Sequence, residues 1–167
     1  MLRQKFLWIL LATSVYSMTA YSQEEAVVTY VKLSPAGSFE ARTNNVQGFA
    51  KKNGNGFVAT NILVDLNSLK TKMDLRDEHM KEKYLETKKH PKAELISAEG
   101  SNGKGTGRIK IRGIEKPISG TYEMLDGGKK LKAEFELTLS EFGITGIKYM
   151  GVGVKDKVKL NVTVPVQ

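Results

Sequence analysis

The sequence predicts an all-β domain, in which an antiparallel sheet closes into a barrel or folds into a sandwich and one helix is inserted. Apolar and polar residues alternate along most of the chain, so each strand has one apolar face and one solvated face. Turn signals separate the alternating runs at short intervals. One segment, 71–85, has helical spacing instead. On these grounds we expect about eight to ten strands.

The first residues have the features of an export signal. Arg3 and Lys5 precede an apolar run at 6–15, which is shorter than the about 20 apolar residues needed to span a bilayer. Ala20 and Ser22 then supply small residues at the positions that a signal peptidase reads. We therefore predict a signal peptide cleaved after Ser22 and a periplasmic location. A buried N-terminal helix or a membrane anchor is the alternative interpretation.

The predicted signal peptide, 1–22, leaves a mature chain of 23–167, which has the length of one domain. The sequence contains no cysteine, which excludes disulfides and a lipidated cysteine anchor. The formal net charge is +8, but the lysines are spread over strands and turns and lack interleaved aromatic residues. We therefore expect no nucleic-acid partner and no stable membrane insertion. A homodimer is compatible with the sequence.

The strands are predicted where the alternation is strongest. Between 130 and 139, for example, Leu131, Ala133 and Phe135 alternate with charged residues. Glycine, asparagine and aspartate, which tolerate positive φ, mark turns between such runs. Reading outward from the turns predicts strands near 26–33, 38–43, 46–52, 57–66, 93–99, 105–113, 117–125, 130–139, 145–153 and 156–166.

The segment 71–85 is predicted to form a helix of a few turns. Its apolar residues at helical spacing are Met73, Met80 and Tyr84. Thr71 and Asp74 resemble a capping box, and acidic residues near the start suit the helix dipole. His90 precedes Pro91, which disfavours a helical conformation at 90. The helix is therefore expected to end before the next strand.

The catalytic inventory is poor. There is no thiol, and the two histidines, His79 and His90, have no third metal ligand at regular spacing. The dipole of the helix already explains the acids Asp74, Asp77 and Glu78, and the Gly-x-Ser-x-Gly signature of a serine hydrolase is absent. We therefore predict no catalytic residue, no metal and no cofactor. A hydrolase acting through Asp74, Asp77 or His79 is the weakest hypothesis.

The inward faces of the predicted strands are aliphatic and contain few large aromatic residues. Small residues recur among them, namely Ala41, Ala59, Ala93 and Ala133. A barrel of about eight strands can be filled by its own side chains or can hold one small ligand. The composition favours a cavity, and a fully packed core remains the alternative.

An ordered series of short motifs resembles the YceI family of bacterial envelope proteins. The matching pieces, in chain order, are 37–39 (GSF), 46–48 (VQG), 61–71 (NILVDLNSLKT), 75–80 (LRDEHM), 90–97 (HPKAELIS), 107–118 (GRIKIRGIEKPI), 140–144 (SEFGI) and 154–158 (VKDKV). Together they extend over nearly all of the mature chain. The sequence departs from the family at Leu85 and Glu86, where an aromatic pair is common, and at Glu94 and Leu95, where an aromatic residue usually follows the proline.

The resemblance implies a lipocalin-like antiparallel barrel of about eight strands with one short helix at its mouth. It also implies non-enzymatic binding, transport or storage of a long apolar lipid, such as a polyisoprenoid, quinone-like or fatty amide molecule, in the periplasm. A structural or stress-related envelope module with a packed barrel is the alternative. The expected ligand-binding residues are Phe39, Val58, Ile62, Val64, Ile109, Ile111, Ala133, Phe135, Leu137, Phe142, Ile144 and Leu160, with Arg76, Asp77 and His79 near a polar head group.

Overall fold

Eleven strands form a single antiparallel sheet in the part of the chain that the computed structural model describes, residues 25–167. The predicted signal peptide, 1–22, lies outside the described residues. The strands are β1 (Val27–Ser34), β2 (Ser38–Thr43), β3 (Val46–Gln47), β4 (Ala50–Asn53), β5 (Gly56–Asp65), β6 (Lys92–Ser101), β7 (Lys104–Ile111), β8 (Ile114–Leu125), β9 (Lys130–Thr138), β10 (Lys148–Tyr149) and β11 (Val152–Pro165).

The sheet rolls into a nearly closed barrel. Its strands follow the order β2-β1-β11-β9-β8-β7-β6-β5-β3, and β4 also pairs with β5. Because only two residues separate β2 from β3 and β3 from β4, the three form one bent strand that pairs with β1 at its start and with β5 at its end. Bridges from Arg42 to Lys70 and from Ala50 to Val166 complete the closure. The predicted antiparallel barrel is therefore confirmed.

Two predicted strands differ from those observed. The strand expected at 46–52 divides into β3 and β4, because Gly48 has a φ of 115° and interrupts the extended backbone. Most of the strand expected at 145–153 is not extended. A two-residue turn at Met150 and Gly151, with φ values of 48° and 82°, joins the short β10 to β11 there. Alternation in sequence does not detect such changes in backbone direction.

The predicted helix is present between β5 and β6. It consists of α1 (Asp74–His79) and a π-helical continuation (Met80–Tyr84). The predicted capping box is wrong, because the residue before the helix is Met73 and no side chain caps it. Thr71 instead donates hydrogen bonds to Asp77. The helix ends before Pro91, as expected.

Two clusters of buried apolar residues occupy the two ends of the barrel. The mouth cluster lies near α1 and includes Leu66, Ile111 and Phe142. The far cluster lies at the opposite end and includes Phe57 and Leu131. The remaining buried members of the mouth cluster are Val31, Ala41, Leu69, Ala93, Ile109, Leu137, Ile144 and Val158. In the far cluster the remaining buried members are Ala50, Ala59, Ile62 and Val164.

The ladder between β8 and β9 is incomplete at the mouth end. It starts at the pair Gly120 and Phe135, so 114–119 of β8 pair only with β7. The two residues that flank the two-residue turn between β7 and β8 form a hydrogen-bonded pair. Because the backbone N–H groups of successive residues in β8 point alternately toward β7 and toward β9, the nitrogen of Pro117 points toward β9. Proline has no N–H to donate there. The ladder therefore does not extend to Pro117, and a seam separates 114–119 of β8 from β9.

Replacing Gly120 by alanine is expected to destabilise the barrel. A Cβ at this position would overlap the carbonyl oxygen of Glu134 on β9. Overpacking of this kind costs about 1–3 kcal/mol, which lowers Tm by roughly 3–10 °C for a domain of this size. Thermal unfolding followed by circular dichroism measures the change. Gly153→Ala is the control, because its Cβ would lie at an ordinary 3.6 Å from the nearest oxygen, that of Ile147. Equal Tm values for the two variants would contradict the close approach.

Candidate functional site

The barrel encloses a cavity of about 580 Å³ between the two core clusters. At the far end an edge-to-face pair closes it, with the rings of Phe57 and Tyr122 4.6 Å apart. At the mouth, Arg76 and His79 of α1 lie in its wall. Most of the remaining wall is aliphatic, because the strands direct their apolar faces inward. The shape and chemistry suit an elongated apolar ligand.

Most of the residues predicted to contact a ligand lie in the cavity wall. These are Phe39, Ile62, Val64, Arg76, His79, Ile109, Ile111, Ala133, Phe135, Leu137, Phe142, Ile144 and Leu160. They come from strands distant in sequence and from the helix, and the barrel brings them together. Their contact with a ligand stays a prediction, but their position around one cavity follows from the period-two alternation.

Val58 does not line the cavity, so the expectation that it faces inward is wrong. Its neighbours Phe57 and Ala59 line the cavity instead. The reason is an irregularity in β5, where Asn61 has a φ of 54°. This irregularity places two successive residues on the outer face and shifts the inward–outward alternation by one residue. Ile62 therefore faces inward, although it lies an even number of residues from Val58, which faces outward. A reading of strict alternation across all of β5 assigns Val58 to the wrong face.

Asp77 was also expected near a polar head group, but it does not line the cavity. Its side chain is buried, at 4% exposure. Its Oδ1 accepts hydrogen bonds from the backbone N–H of Thr71 (2.7 Å) and from the Thr71 hydroxyl (2.6 Å). Burial raises the pKa of Asp77. These hydrogen bonds and the charges of Lys70 and Lys81 together lower it by more than burial raises it, so the pKa of Asp77 is below the ordinary value. The carboxylate therefore fastens the chain before α1 to the helix.

The Asp77 carboxylate positions Arg76 through Thr71. The Nε of Arg76 donates to the Thr71 hydroxyl at 2.9 Å, and Nη2 donates to the Thr71 carbonyl at 2.7 Å. The guanidinium also lies over the ring of Phe39, 4.1 Å from its centroid. Within residues 25–167, Nη1 of Arg76 makes no further hydrogen bond. The mouth therefore holds a fixed cation with a donor available for a polar group.

Sequence reasoning missed several residues of the cavity wall. Phe57 and Tyr122 at the far end could have been found, because each lies two residues from another apolar residue on the same face of its strand. Several of the missed residues at the mouth lie outside or at the ends of strands, where strand periodicity gives no direction. They include Met73, Leu75, Met80, Tyr84, Leu85, Ile147, Met150 and Val152.

Arg112 joins three segments at the mouth end. It forms an ion pair with Glu86, which follows the helix, and its Nη1 donates to the carbonyls of Phe142 (3.3 Å) and Gly143 (2.6 Å) beyond β9. Arg112 lies in the β7–β8 turn, so these bonds cross one end of the β8–β9 seam. The hydrogen bonds that Glu86 accepts from Arg112 and Lys89 lower its pKa to about 2. The ion pair and these hydrogen bonds therefore link the segments on the two sides of the seam at the mouth end.

Replacing Glu86 by glutamine is expected to change the dependence of stability on pH. Because the folded-state pKa of Glu86 is lowered from 4.5 to about 2, ionised Glu86 contributes stability that is fully present above pH 4.5 and is lost as the pH falls through 2. Glu86→Gln is therefore expected to be less stable than the wild type at pH 7 and to approach it near pH 2. Urea unfolding from pH 2 to 7 measures this convergence. Glu123→Gln removes an exposed carboxylate on the outside of β8 and is the control. A constant difference from pH 2 to 7 would contradict the assigned role of Glu86.

The seam brings the cavity close to the outer surface. Ile118, Gly120 and Phe135 line both the cavity and a groove on the outside of β8 and β9. Within 25–167, no group of three histidine or acidic side chains lies together as a metal site would require. No helix among these residues is long and apolar enough to span a membrane. Of the three residues considered for a hydrolase, His79 lies in the cavity wall, whereas Asp77 is engaged by Thr71 and Asp74 is exposed.

The fold is similar to those of several solved structures. One is a polyisoprenoid binding domain from Saccharophagus degradans, implicated in plant cell wall breakdown, with a TM-score of 0.58 and 10% identity over 84% of this chain and 93% of that one. Another is BcnA of Burkholderia cenocepacia, with a TM-score of 0.59 and 13% identity over 82% and 94%. A third is the Campylobacter jejuni YCEI protein, with a TM-score of 0.53 and 18% identity over 75% and 82%.

At these identities the structural likeness shows the fold alone. No curated protein matches the chain. The family model of the YceI-like domain matches residues 19–166, which is nearly the whole chain. The family match and the barrel therefore lead to the same assignment, and the chain belongs to the family of YceI-like domains.

Proposed function

We propose that this protein binds one long-chain apolar lipid, of polyisoprenoid or quinone-like type, inside the barrel. The observation that carries the proposal is the cavity of about 580 Å³, which has an almost wholly apolar wall and lies between the two core clusters. A fully packed structural module was the alternative. A cavity of this size does not fit that alternative, because packed protein interiors contain few voids larger than a water molecule.

The physical basis of binding is burial of apolar surface. An isoprenoid chain has no groups that form hydrogen bonds along its length, and each Å² that it removes from water contributes about 25 cal/mol. The wall can meet such a chain with aliphatic side chains alone, as Ile109, Leu137 and Leu160 do here. Arg76 and His79 at the mouth are suited to a polar or anionic head group. The lipid would therefore lie with its tail toward Phe57 and its head near α1.

The proposed role is non-enzymatic transport or storage of the lipid in the periplasm. The export signal predicted at 1–22 supports the compartment, and the solved domain from Saccharophagus degradans that resembles this chain is described as polyisoprenoid binding. The polar groups near the cavity also have structural roles. Asp77 and Thr71 hold the start of α1, and Glu86 pairs with Arg112.

Native mass spectrometry of the protein purified without detergent from its own envelope tests the proposal. We expect a mass increment that organic extraction removes, and we expect the extract to contain an apolar lipid. The delipidated protein should then take up a long-chain prenyl alcohol delivered from cyclodextrin, and the alcohol should be recovered unchanged. A bare protein mass together with no uptake would overturn the binding function. Recovery of a chemically altered lipid would overturn the non-enzymatic role.

A further inference from the structure

The exposed large apolar residues of residues 25–167 are unevenly distributed. Apart from Tyr30 on the outside of β1, they lie at the mouth end of the barrel. Four of them also line the cavity, and we call these the rim residues: Met73, Leu75, Met150 and Val152. An apolar surface that continues from an exposed rim into a cavity is typical of an interaction site.

The rim residues come from two segments of the chain. Met73 and Leu75 lie at the start of α1, and Met73 is 54% exposed. Met150 and Val152 lie at the turn between β10 and β11, and Met150 is 85% exposed. Met150 has a positive φ of 48°, in a two-residue turn where asparagine or glycine would be favoured. Neither packing nor turn chemistry therefore explains a methionine at this position.

Lysines accompany both segments of the rim. Lys72 precedes Met73, Lys148 lines the cavity and Lys155 follows the start of β11. All three are exposed, and none forms an ion pair within the described part of the chain. Asp74 and Glu78 on α1 offset part of this charge, so apolar contact would carry most of the binding. The lysines would add a preference for anionic surfaces, because basic residues close to an anionic membrane are attracted to it.

We propose that the mouth end docks on the surface of an anionic lipid bilayer and inserts the rim residues among its head groups. This inference rests on the proposed function. A long apolar chain that moves through water exposes its whole apolar surface, which is unfavourable. Docking would join the cavity to the bilayer, so the lipid could pass between them without that exposure. An anionic bilayer fits a rim that is apolar at its centre and has lysines beside it, because the bilayer offers an apolar interior and a negatively charged surface.

Vesicle flotation tests the docking, with the full mature chain and two kinds of vesicle. One kind contains zwitterionic and anionic phospholipids, and the other contains zwitterionic phospholipid alone. We expect the wild type to float with the anionic vesicles and to bind the zwitterionic vesicles at least threefold more weakly. The rim variant, Leu75→Asp with Met150→Asp, should show at least a tenfold lower partition into anionic vesicles. Both positions are exposed, and circular dichroism confirms that the variant is folded.

Tyr30→Asp is the matched control, because it makes the same kind of change at an exposed residue on the outside of β1 that does not line the cavity. Its flotation should equal that of the wild type. A loss in Tyr30→Asp as large as in the rim variant would overturn the proposal, and so would a wild type that does not float. Uptake of prenyl alcohol from cyclodextrin by the wild type tests lipid binding separately. Uptake without flotation would overturn docking alone and would direct attention to a protein acceptor, and flotation without uptake would overturn the binding function alone.

Discussion

Replacing Ala133 by tryptophan is expected to weaken lipid binding at least tenfold and to leave the barrel folded. Ala133 lies in the middle of β9, opposite Val162 of β11 and Tyr122 of β8. Its side chain lines the cavity between the far cluster and the mouth. An indole there would occupy space that the ligand needs. Because the cavity of about 580 Å³ can accommodate the ring, little overpacking is expected.

The size of the effect follows from the ligand surface that is displaced. If the ring excludes about 100 Å² of apolar ligand surface, the loss is about 2.5 kcal/mol, which corresponds to between tenfold and a hundredfold in Kd. Titration of delipidated protein with a fluorescent prenyl derivative measures Kd. Lys132→Trp places the same ring on the outside of β9 and is expected to bind as the wild type does. A folded Ala133→Trp variant with unchanged Kd would mean that the ligand does not reach this part of the cavity.

Replacing Ile111 by aspartate is expected to prevent folding under ordinary conditions. Ile111 belongs to the mouth cluster, is 8% exposed and lies in the cavity wall. An unpaired carboxylate in an apolar interior costs several kcal/mol, and the total stability of a domain is about 5–15 kcal/mol. The variant would therefore lose most of its stability, together with lipid binding. Loss of the cooperative thermal transition is the expected measurement.

Lys110→Asp is the matched control, because residue 110 is the neighbour of Ile111 on the exposed face of β7. It introduces the same carboxylate where water solvates it, and we expect a Tm within a few degrees of that of the wild type. If Ile111→Asp unfolds at the same temperature as Lys110→Asp, the carboxylate at 111 must be solvated. That result would contradict an apolar interior at the mouth end.

The wall of the cavity was largely predictable because its signal is local. Residues such as Ile109, Ile111 and Phe135 alternate with charged neighbours, and the pleat of a strand turns that alternation into a face. The prediction failed at Val58 because Asn61 shifts the phase of β5, and one residue of shift moves every side chain to the opposite face.

The polar groups of the mouth were less predictable. The capping-box interpretation paired Thr71 with Asp74, whereas Thr71 is bonded to Asp77 in the structure. The pairing depends on how the chain turns before the helix, where Lys72 has a φ of 63°. The ion pair of Arg112 with Glu86 joins residues far apart in sequence. Contacts of this kind arise from closure of the barrel and have no local signature.

The sequence by itself determined an antiparallel β domain with one inserted helix and an aliphatic inside, because strand periodicity, turn residues and helical spacing are local properties of the chain. Only the tertiary structure decided that the interior is a cavity, that β2, β3 and β4 together close the barrel, and that the rim residues lie around one opening. The physical reason is that a cavity and a rim depend on distances between strands and turns that are remote in sequence. Those distances are set when the sheet closes.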